Sequence, residues 1–154
     1  MGNPNLQQII NWRHLSENLA TGGQPTETQL AALAMAGYRV VINLGLANKE
    51  YSLADEKGLL ESLGLGYVHI PVEWETPTPS DLEKFITAMK NLSGKKMFVH
   101  CAANKRVSVF IALYRILEQG WSREDAMAGV LDVWMPNEAW SGFIEGVLGR
   151  KERP

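Results

Sequence analysis

Apolar positions along the chain recur with two different spacings, which alternate from one end to the other. Short continuous runs of apolar, often β-branched residues are typical of buried strands. Such runs at Arg39–Leu44, Tyr67–Ile70 and Met97–His100 predict three strands, and Leu19–Gly22 is a candidate for a fourth. Between these runs, apolar side chains recur every three or four residues, which is the spacing of amphipathic helices.

Caps and glycines mark where the helices begin and end. A Ser or Thr followed three positions later by Gln or Glu has the spacing of a capping box, and a glycine often follows a helix end. Thr26 with Gln29 and Ser80 with Glu83 have that spacing, and Gly37 lies where the first helix should end. The sequence predicts six helices. Three of them begin at the caps Thr26, Ser80 and Ser122, two run from Ser52 to Leu63 and from Val107 to Leu117, and the last includes Trp140, Phe143 and Ile144.

Strands that alternate with helices predict an α/β fold, because parallel strands need crossover connections that are usually helical. We expect a parallel or mostly parallel sheet of four to five strands with helices on both faces, which makes a three-layer structure. The chain has 154 residues, the length of one domain. We therefore assign residues 1–154 to a single domain in which residues 1–14 and 149–154 are peripheral ends.

Composition and charge indicate which partners and which cellular compartment to expect. The net charge of −2 gives no reason to expect binding to nucleic acid or to an acidic membrane. Residues 1–10 carry no signal-peptide pattern, and no apolar run approaches the ~20 residues of a membrane span. The chain has one cysteine, which excludes an internal disulfide and fits a reducing compartment. We expect a cytoplasmic protein.

The single cysteine follows the last predicted strand directly. Ligand sites in parallel sheets form at the carboxyl ends of strands, and the strand that ends at His100 points its carboxyl end at Cys101. The helix that follows turns its N-terminal N–H groups back toward this cysteine, which favours a bound anion and the thiolate form of the sulfur. The candidate anion-binding residues are Ala102, Ala103, Asn104, Lys105, Arg106 and Val107.

Two further side chains complete this candidate site. Arg106 could hold two oxygens of an anion at once, because its guanidinium is a planar fork. Ser108 could donate a hydrogen bond to the sulfur when that sulfur is a leaving group. His100 is expected to order the loop by hydrogen bonds. The alternative for Cys101 is a small buried apolar side chain, which is common for free cysteine.

The segment His100–Ser108 resembles the His-Cys-x5-Arg-Ser/Thr signature of the protein tyrosine phosphatase superfamily. Gly23–Thr26, Val41–Leu44 and His69–Val72 are similar to segments of its bacterial dual-specificity-like branch. The resemblance implies the fold of that superfamily and hydrolysis of a phosphate monoester through a phosphocysteine intermediate. It also implies no metal or other cofactor, and as partner a phosphorylated protein or small molecule.

The loop departs from that signature at two positions. Only four residues separate Cys101 from Arg106, and Val107 occupies the usual place of the arginine, while Ser108 still matches the Ser/Thr. Asn104 stands where a glycine is usual, a mild exchange because Asn tolerates the left-handed backbone conformation better than most residues.

The leaving oxygen of a phosphate monoester needs a proton, which a carboxyl group on a neighbouring loop usually supplies. Related phosphatases carry an aspartate in the loop that corresponds to the one after the predicted strand Tyr67–Ile70. Here that place is Trp74, so the candidates for the general acid are Glu73 and Glu75 on either side of it. Trp74 is expected to anchor the loop in the core. Asp81 is another carboxylate, but a position at a helix start explains it as a cap.

Two other functions fit the same residues. One is a phosphate-binding module that has lost catalysis through the displaced arginine and the missing aspartate. The other is a rhodanese-like sulfurtransferase, whose loops resemble Cys-x4-Arg, the spacing of Cys101 and Arg106. The physiological substrate and the oligomeric state stay open at this stage.

Overall fold

The computed structural model describes residues 6–152 of the chain. After a short 3-10 turn at Leu6–Gln8, the strands are β1 (Arg13–Ser16), β2 (Leu19–Gly22), β3 (Val40–Asn43), β4 (Gly66–His69) and β5 (Met97–His100). The helices are α1 (Glu27–Met35), α2 (Glu56–Ser62), α3 (Pro79–Asn91), α4 (Lys105–Glu118), α5 (Arg123–Leu131) and α6 (Glu138–Glu152).

The five strands form one sheet in the order β1-β2-β5-β3-β4. Strands β2, β5, β3 and β4 pair in parallel, and β1 pairs with β2 in the antiparallel direction at one edge. The prediction of a mostly parallel sheet is confirmed, and so is the candidate strand Leu19–Gly22. Strand β1 was not predicted because Arg13–Ser16 is short and largely exposed, and therefore shows no apolar run.

Helices cover both faces of the sheet, as predicted. Along β3, Val40 and Ile42 face a core that holds Phe85, Phe110 and Trp140 from α3, α4 and α6. The opposite face presents Val41 to a smaller core with side chains from α1 and α2, which are Leu30, Leu33 and Leu60. Because alternate residues of a strand point to opposite faces, a fully buried strand such as β3 serves both cores at once.

The caps predicted at Thr26 and Ser122 are present, each accepting a hydrogen bond from a backbone amide of the first turn. The capping box predicted at Ser80 and Glu83 is wrong. The box is formed by Thr78 and Asp81, because Pro79 takes the first helical position, where its fixed φ and missing N–H are favourable.

Two further helices, α2 and α4, begin elsewhere than predicted. Helix α2 begins at Glu56 rather than Ser52, because Asp55 accepts a hydrogen bond from Gly58 and the preceding residues form a loop held by Ser52 and Leu46. Helix α4 begins at Lys105, two residues before the predicted Val107.

The N-terminal residues are better packed than predicted. Ile9 is 2% exposed, and the ring of Trp12 stacks on Phe98 at 5.8 Å, so these two residues and Leu6 pack in the smaller core, whereas the other described residues up to His14 are exposed and peripheral as predicted. Residues 1–5 lie outside the described residues. At the other end, α6 continues past Gly149 to Glu152. Among residues 6–152, no helix combines the length and apolarity that a bilayer span requires.

Substitution of Phe85 tests the larger core. Phe85 is fully buried in α3 and contacts the rings of Phe110 and Tyr114. We expect Phe85→Ala to lower the free energy of unfolding by about 3–5 kcal/mol, because it removes a large buried ring and leaves a cavity. Urea denaturation measures this change. The neighbouring exposed Lys84→Ala should stay within about 0.5 kcal/mol of the parent, and an equally small loss for Phe85→Ala would contradict the assigned core.

Candidate active site

A four-residue turn, Cys101 to Asn104, joins β5 to α4. Strand β5 ends at His100, Cys101 follows with 1% of its surface exposed, and α4 begins at Lys105. The turn is closed by Asn104, whose φ of 66° lies in the left-handed region. The sequence predicted this tolerance at Asn104, since Asn adopts that conformation more readily than most residues.

The turn is held from outside by the N-terminal segment and by β2. The side-chain amide of Asn104 donates to the carbonyl of Asn11 at 2.8 Å and to the hydroxyl of Thr21 at 3.1 Å. In return, Asn11 donates through Nδ2 to the carbonyl of Ala103 at 2.9 Å. These side chains therefore fix the turn to two segments that are distant in sequence.

The backbone on the outer side of the turn is also paired. The amide of Gln24 donates to the carbonyl of Ala102 at 3.0 Å. Because the peptide unit is planar and trans, the N–H of Ala103 points away from this contact, toward the inside of the turn. Gly23 lies against the same carbonyl so closely that a Cβ on it would come within 2.5 Å of the Ala102 oxygen.

The N-terminus of α4 has no side-chain cap. Asn104 takes the cap position in a left-handed conformation, unlike the extended one of a usual cap residue, and accepts no hydrogen bond from the first turn. Its Nδ2 donates to Asn11 and Thr21, and its Oδ1 is buried without a hydrogen-bond partner among the described residues. The first turn of a helix has N–H groups with no intrahelical partner, and they carry the positive end of the helix dipole. The backbone of the turn and of the first residues of α4, from Cys101 to Val107, therefore offers N–H donors that an anion can use.

Arg106 is 5% exposed in the first turn of α4. Its Nη1 donates to the carbonyl of Val72 at 2.8 Å, and its Nη2 lies 3.5 Å from the hydroxyl of Tyr51. The guanidinium carbon lies 5.9 Å from the ring centre of Tyr51 and 5.8 Å from that of Trp74. Its Nε is buried without a hydrogen-bond partner among the described residues, so one donor of the fork stays available.

Ser108 has its hydrogen-bond partners in α4 and in Trp134, and Val107 packs in the core. The hydroxyl of Ser108 donates to the carbonyl of Lys105 at 2.7 Å and accepts a hydrogen bond from Nε1 of Trp134 at 3.1 Å. Its one proton is thus engaged within α4, and the donation to Cys101 suggested by the sequence is not formed in this structure. Val107 is fully buried in the larger core and can contribute to the site only through its backbone amide.

His100 is completely buried and ordered by hydrogen bonds on both sides of its ring. Nε2 lies 2.6 Å from Oε2 of Glu56, and Nδ1 lies 3.2 Å from the carbonyl oxygen of Cys101. Glu56 is a site residue that the sequence did not indicate, because an acidic residue in the first turn of a helix is ordinarily explained by the helix dipole. Gln24 also donates to Glu56, at 2.9 Å.

The loop after β4 is anchored by Trp74, as predicted. The ring of Trp74 lies 5.3 Å from that of Trp134 and 5.9 Å from that of Trp140, and its carbonyl accepts a hydrogen bond from Trp140 Nε1 at 2.7 Å. Glu73 and Glu75, on either side, are exposed. The structure thus fixes the backbone beside Arg106 and leaves both candidate acids at the surface.

The remaining predicted polar residues have structural partners. Asp81 forms the capping box with Thr78, in agreement with its explanation as a cap. His69 contacts the carbonyl of Gly45 at 2.7 Å and so orders the loop after β3. The ammonium of Lys105 lies 5.7 Å from the ring centre of Trp134, at the rim of the site.

Two substitutions at Asn104 separate its backbone role from its hydrogen bonds. We expect Asn104→Ala to lower the free energy of unfolding by about 2–4 kcal/mol, because alanine is strained at a φ of 66° and leaves Asn11 and Thr21 without their donor. Asn104→Gly removes the same hydrogen bonds without the strain, so its loss should be smaller by about 1–2 kcal/mol. Chemical denaturation checks both values, and equal losses would argue against a strained turn.

Comparison with known proteins places this arrangement in a family. Residues 5–134 match the family model of the DSP-PTPase phosphatase fused to NAD+ kinase. A DUF442 protein from Shewanella putrefaciens CN-32, named as a candidate phosphatase, is 35% identical in sequence, with a TM-score of 0.83 over 94% of this chain and 93% of that one. The core catalytic domain of the PP-IP phosphatase SIW14 from S. cerevisiae shares the fold, with a TM-score of 0.74 at 18% identity over 89% of this chain and 85% of that one.

A curated relative is much longer than this chain. The beta-lactamase hydrolase-like protein of Xylella fastidiosa (strain Temecula1) is 28% identical over 117 residues, which are 74% of this chain and 27% of that protein. The match to the family model covers most of the chain, and the Shewanella structure agrees with it over nearly the full length of both chains. The chain therefore belongs to the dual-specificity-like phosphatases of the protein tyrosine phosphatase superfamily, in the family of the DSP-PTPase phosphatase fused to NAD+ kinase.

Proposed function

We propose that this chain hydrolyses phosphate monoesters through a phosphocysteine formed on Cys101. The observation that carries the proposal is the free donor set around that residue. It consists of an uncapped helix N-terminus and a buried arginine with one unpartnered donor. Such a set suits an oxyanion with several oxygens, because each oxygen can accept a separate hydrogen bond.

The position of Arg106 supports the proposal despite the short spacing from Cys101. The backbone from Cys101 to Val107 forms the proposed anion-binding cradle. Since α4 begins at Lys105, Arg106 lies in the first helical turn, where its side chain can lie along this cradle while Val107 packs into the core. The contact from Nη1 to Val72 fixes one edge of the guanidinium. The other edge consists of the unpartnered Nε and of Nη2, which would exchange its long contact with Tyr51 for a phosphoryl oxygen.

The proposed reaction has two steps. The Cys101 thiolate attacks phosphorus, so that an S–P bond forms as the bond from phosphorus to the leaving oxygen breaks, and a carboxylic acid gives that oxygen its proton. Water then attacks the phosphocysteine and gives a proton to the carboxylate left by the first step, the S–P bond breaks, and inorganic phosphate and the thiolate are released with the carboxylic acid restored. The amides of the turn and Arg106 stabilise the charge on the equatorial oxygens in both transition states.

Glu73 and Glu75 are the proposed sources of the proton. Both follow Val72, whose carbonyl holds Arg106, and the Trp74 anchor fixes the backbone between them. Exposed carboxyl groups on an anchored loop can reach a leaving group that points out of the cradle. The substrate in this proposal is a phosphorylated protein or small molecule, and the single cysteine suits a reducing cytoplasm.

Cys101 and Arg106 are tested with para-nitrophenyl phosphate. Cys101→Ser should abolish turnover and keep binding of tungstate, because the cradle is formed by the backbone. Arg106→Lys should lower turnover by about 100–1,000-fold, the effect of losing one transition-state donor, and Arg106→Ala at least as much. The matched control is Arg115→Lys at the other end of α4, which should turn over like the parent.

The phosphatase assay, together with an assay of sulfur transfer from thiosulfate to cyanide, separates the other functions of such a site. A chain that transfers sulfur from thiosulfate to cyanide and leaves para-nitrophenyl phosphate intact would be a sulfurtransferase, as the Cys-x4-Arg spacing allows. A chain that is silent in both assays and binds tungstate tightly would be a phosphate-binding module. Parent-like turnover of Cys101→Ser would overturn the proposed mechanism.

The general acid is tested by varying the leaving group. Loss of the acid should cost about 100–10,000-fold with phenyl phosphate, whose leaving oxygen needs a proton. The cost should be much smaller with para-nitrophenyl phosphate, whose leaving group is stable as an anion. We expect one of Glu73→Gln and Glu75→Gln to show this difference and the other to serve as its control. Two variants with the same small effect on both substrates would exclude this loop as the source of the proton.

A further inference from the structure

The hydroxyl of Tyr51 faces two donors and no acceptor among residues 6–152. The amide of Leu46 donates to it at 2.9 Å, and Nη2 of Arg106 lies 3.5 Å from it. A phenol has one proton to donate in addition to its acceptor positions. The proton of Tyr51 is therefore available for an acceptor that the described residues do not provide.

A separate contact places the ring of Tyr51 beside Cys101. Gly45 lies in the loop that follows β3, and a Cβ on it would lie 3.2 Å from Cε1 of Tyr51 and 3.7 Å from Cα of Cys101. The tyrosine ring and the backbone of the cysteine therefore flank the same point. The missing side chain of Gly45 leaves room for both.

The loop between β3 and α2 fixes the position of this phenol by its own hydrogen bonds. The hydroxyl of Tyr51 accepts from Leu46 near the start of the loop. The neighbouring Ser52 donates to the carbonyl of Leu46 at 2.6 Å and accepts from the amide of Lys49 at 3.2 Å. The two ends of the loop are thus tied together, with the tyrosine hydroxyl directed toward Arg106.

The edge of Arg106 that would bind an anion is the edge that faces Tyr51. Nη1 donates to the carbonyl of Val72, Nε is buried without a partner among the described residues, and Nη2 contacts the phenol. An oxygen of an anion bound to Nη2 would lie beside the tyrosine hydroxyl, because both would be neighbours of the same nitrogen. A charged oxygen is also a stronger acceptor than a neutral one.

We propose that Tyr51 is an anion-binding residue whose hydroxyl donates a hydrogen bond to an oxygen held by Arg106. Nη2 exchanges its long contact with the phenol for the anion, the hydroxyl keeps the hydrogen bond from Leu46, and its free proton faces the anion. This binding role needs only the anion cradle. Its contribution to turnover rests on the proposed phosphatase function.

Tyr51→Phe distinguishes a donor to the anion from a group that only holds Arg106. If the hydroxyl only occupies Nη2 in the free chain, its removal frees Nη2, and tungstate should bind as tightly as before or more tightly. If the hydroxyl donates, its removal should weaken tungstate binding by about 10-fold or more, the effect of losing a hydrogen bond to a charged group. Isothermal titration calorimetry of the full chain measures the affinity, and unchanged or tighter binding would overturn the proposal.

Ser52→Ala is the matched control for damage to the loop. It removes the hydrogen bonds to Leu46 and Lys49 and keeps the hydroxyl of Tyr51. We expect its tungstate affinity to stay within about twofold of the parent. Equal losses in Ser52→Ala and Tyr51→Phe would assign the effect to the order of the loop and contradict a donor role.

A crystal structure of the parent chain with tungstate tests the contact even if Tyr51→Phe does not fold. We expect the Tyr51 hydroxyl about 2.5–3.0 Å from a tungstate oxygen that also contacts Arg106. Tungstate held by the backbone amides and Arg106 alone, with the phenol beyond hydrogen-bonding distance, would exclude the proposed contact.

This proposal and the phosphatase fail separately. A chain that binds tungstate through Tyr51 and does not turn over para-nitrophenyl phosphate would contradict the phosphatase and leave the binding role of Tyr51 standing. Turnover by the parent, with a Tyr51→Phe variant that matches it in tungstate affinity and kcat/KM, would contradict the role of Tyr51 and leave the phosphatase standing.

Discussion

The chain passes from a buried strand to a buried helix within the four residues from Cys101 to Asn104, and the candidate site depends on how that turn is held. Every residue of β5 is buried, and so are most residues of the first three turns of α4. Neither element can move without disturbing the core. The left-handed Asn104 makes the short connection sterically accessible, and its side chain ties the turn to Asn11 and Thr21. The helix N-terminus has no side-chain cap, because the left-handed Asn104 directs its Nδ2 to Asn11 and Thr21 and its Oδ1 accepts nothing from the first turn.

Burial also decides how Arg106 is oriented. A guanidinium that is removed from water needs partners for its donors, since unpaired buried charge is costly. The carbonyl of Val72 and the faces of Tyr51 and Trp74 satisfy one side of it. Trp74 in turn is held by Trp140 in α6, so the last helix contributes to the position of an arginine in the first turn of α4.

The layers of the fold could be predicted from the sequence, because fully buried strands and capped helices leave clear periodic signals. Strand β1 could not, since an exposed edge strand has no apolar run. The cradle around Cys101 could also be predicted, because its residues are contiguous in the sequence. Glu56 was not, since it lies 44 residues from His100 and meets it only after α2 has docked beside β5. The hydrogen bond from Ser108 to Lys105 was missed for another reason, because a hydroxyl early in a helix can donate either outward or to its own backbone.

The contacts between Asn11 and the cysteine turn have a consequence for how the protein acquires its chemistry. The partners are 92 and 93 residues apart, and strands on both sides of β5 come from different parts of the chain. Contacts of such separation form only when loop-closure entropy has been overcome by the rest of the fold. A nascent or partly unfolded chain therefore lacks the ordered turn around Cys101. In the mechanism proposed above, Cys101 can act as a nucleophile only after these long-range contacts have formed, so turnover would report on completion of folding.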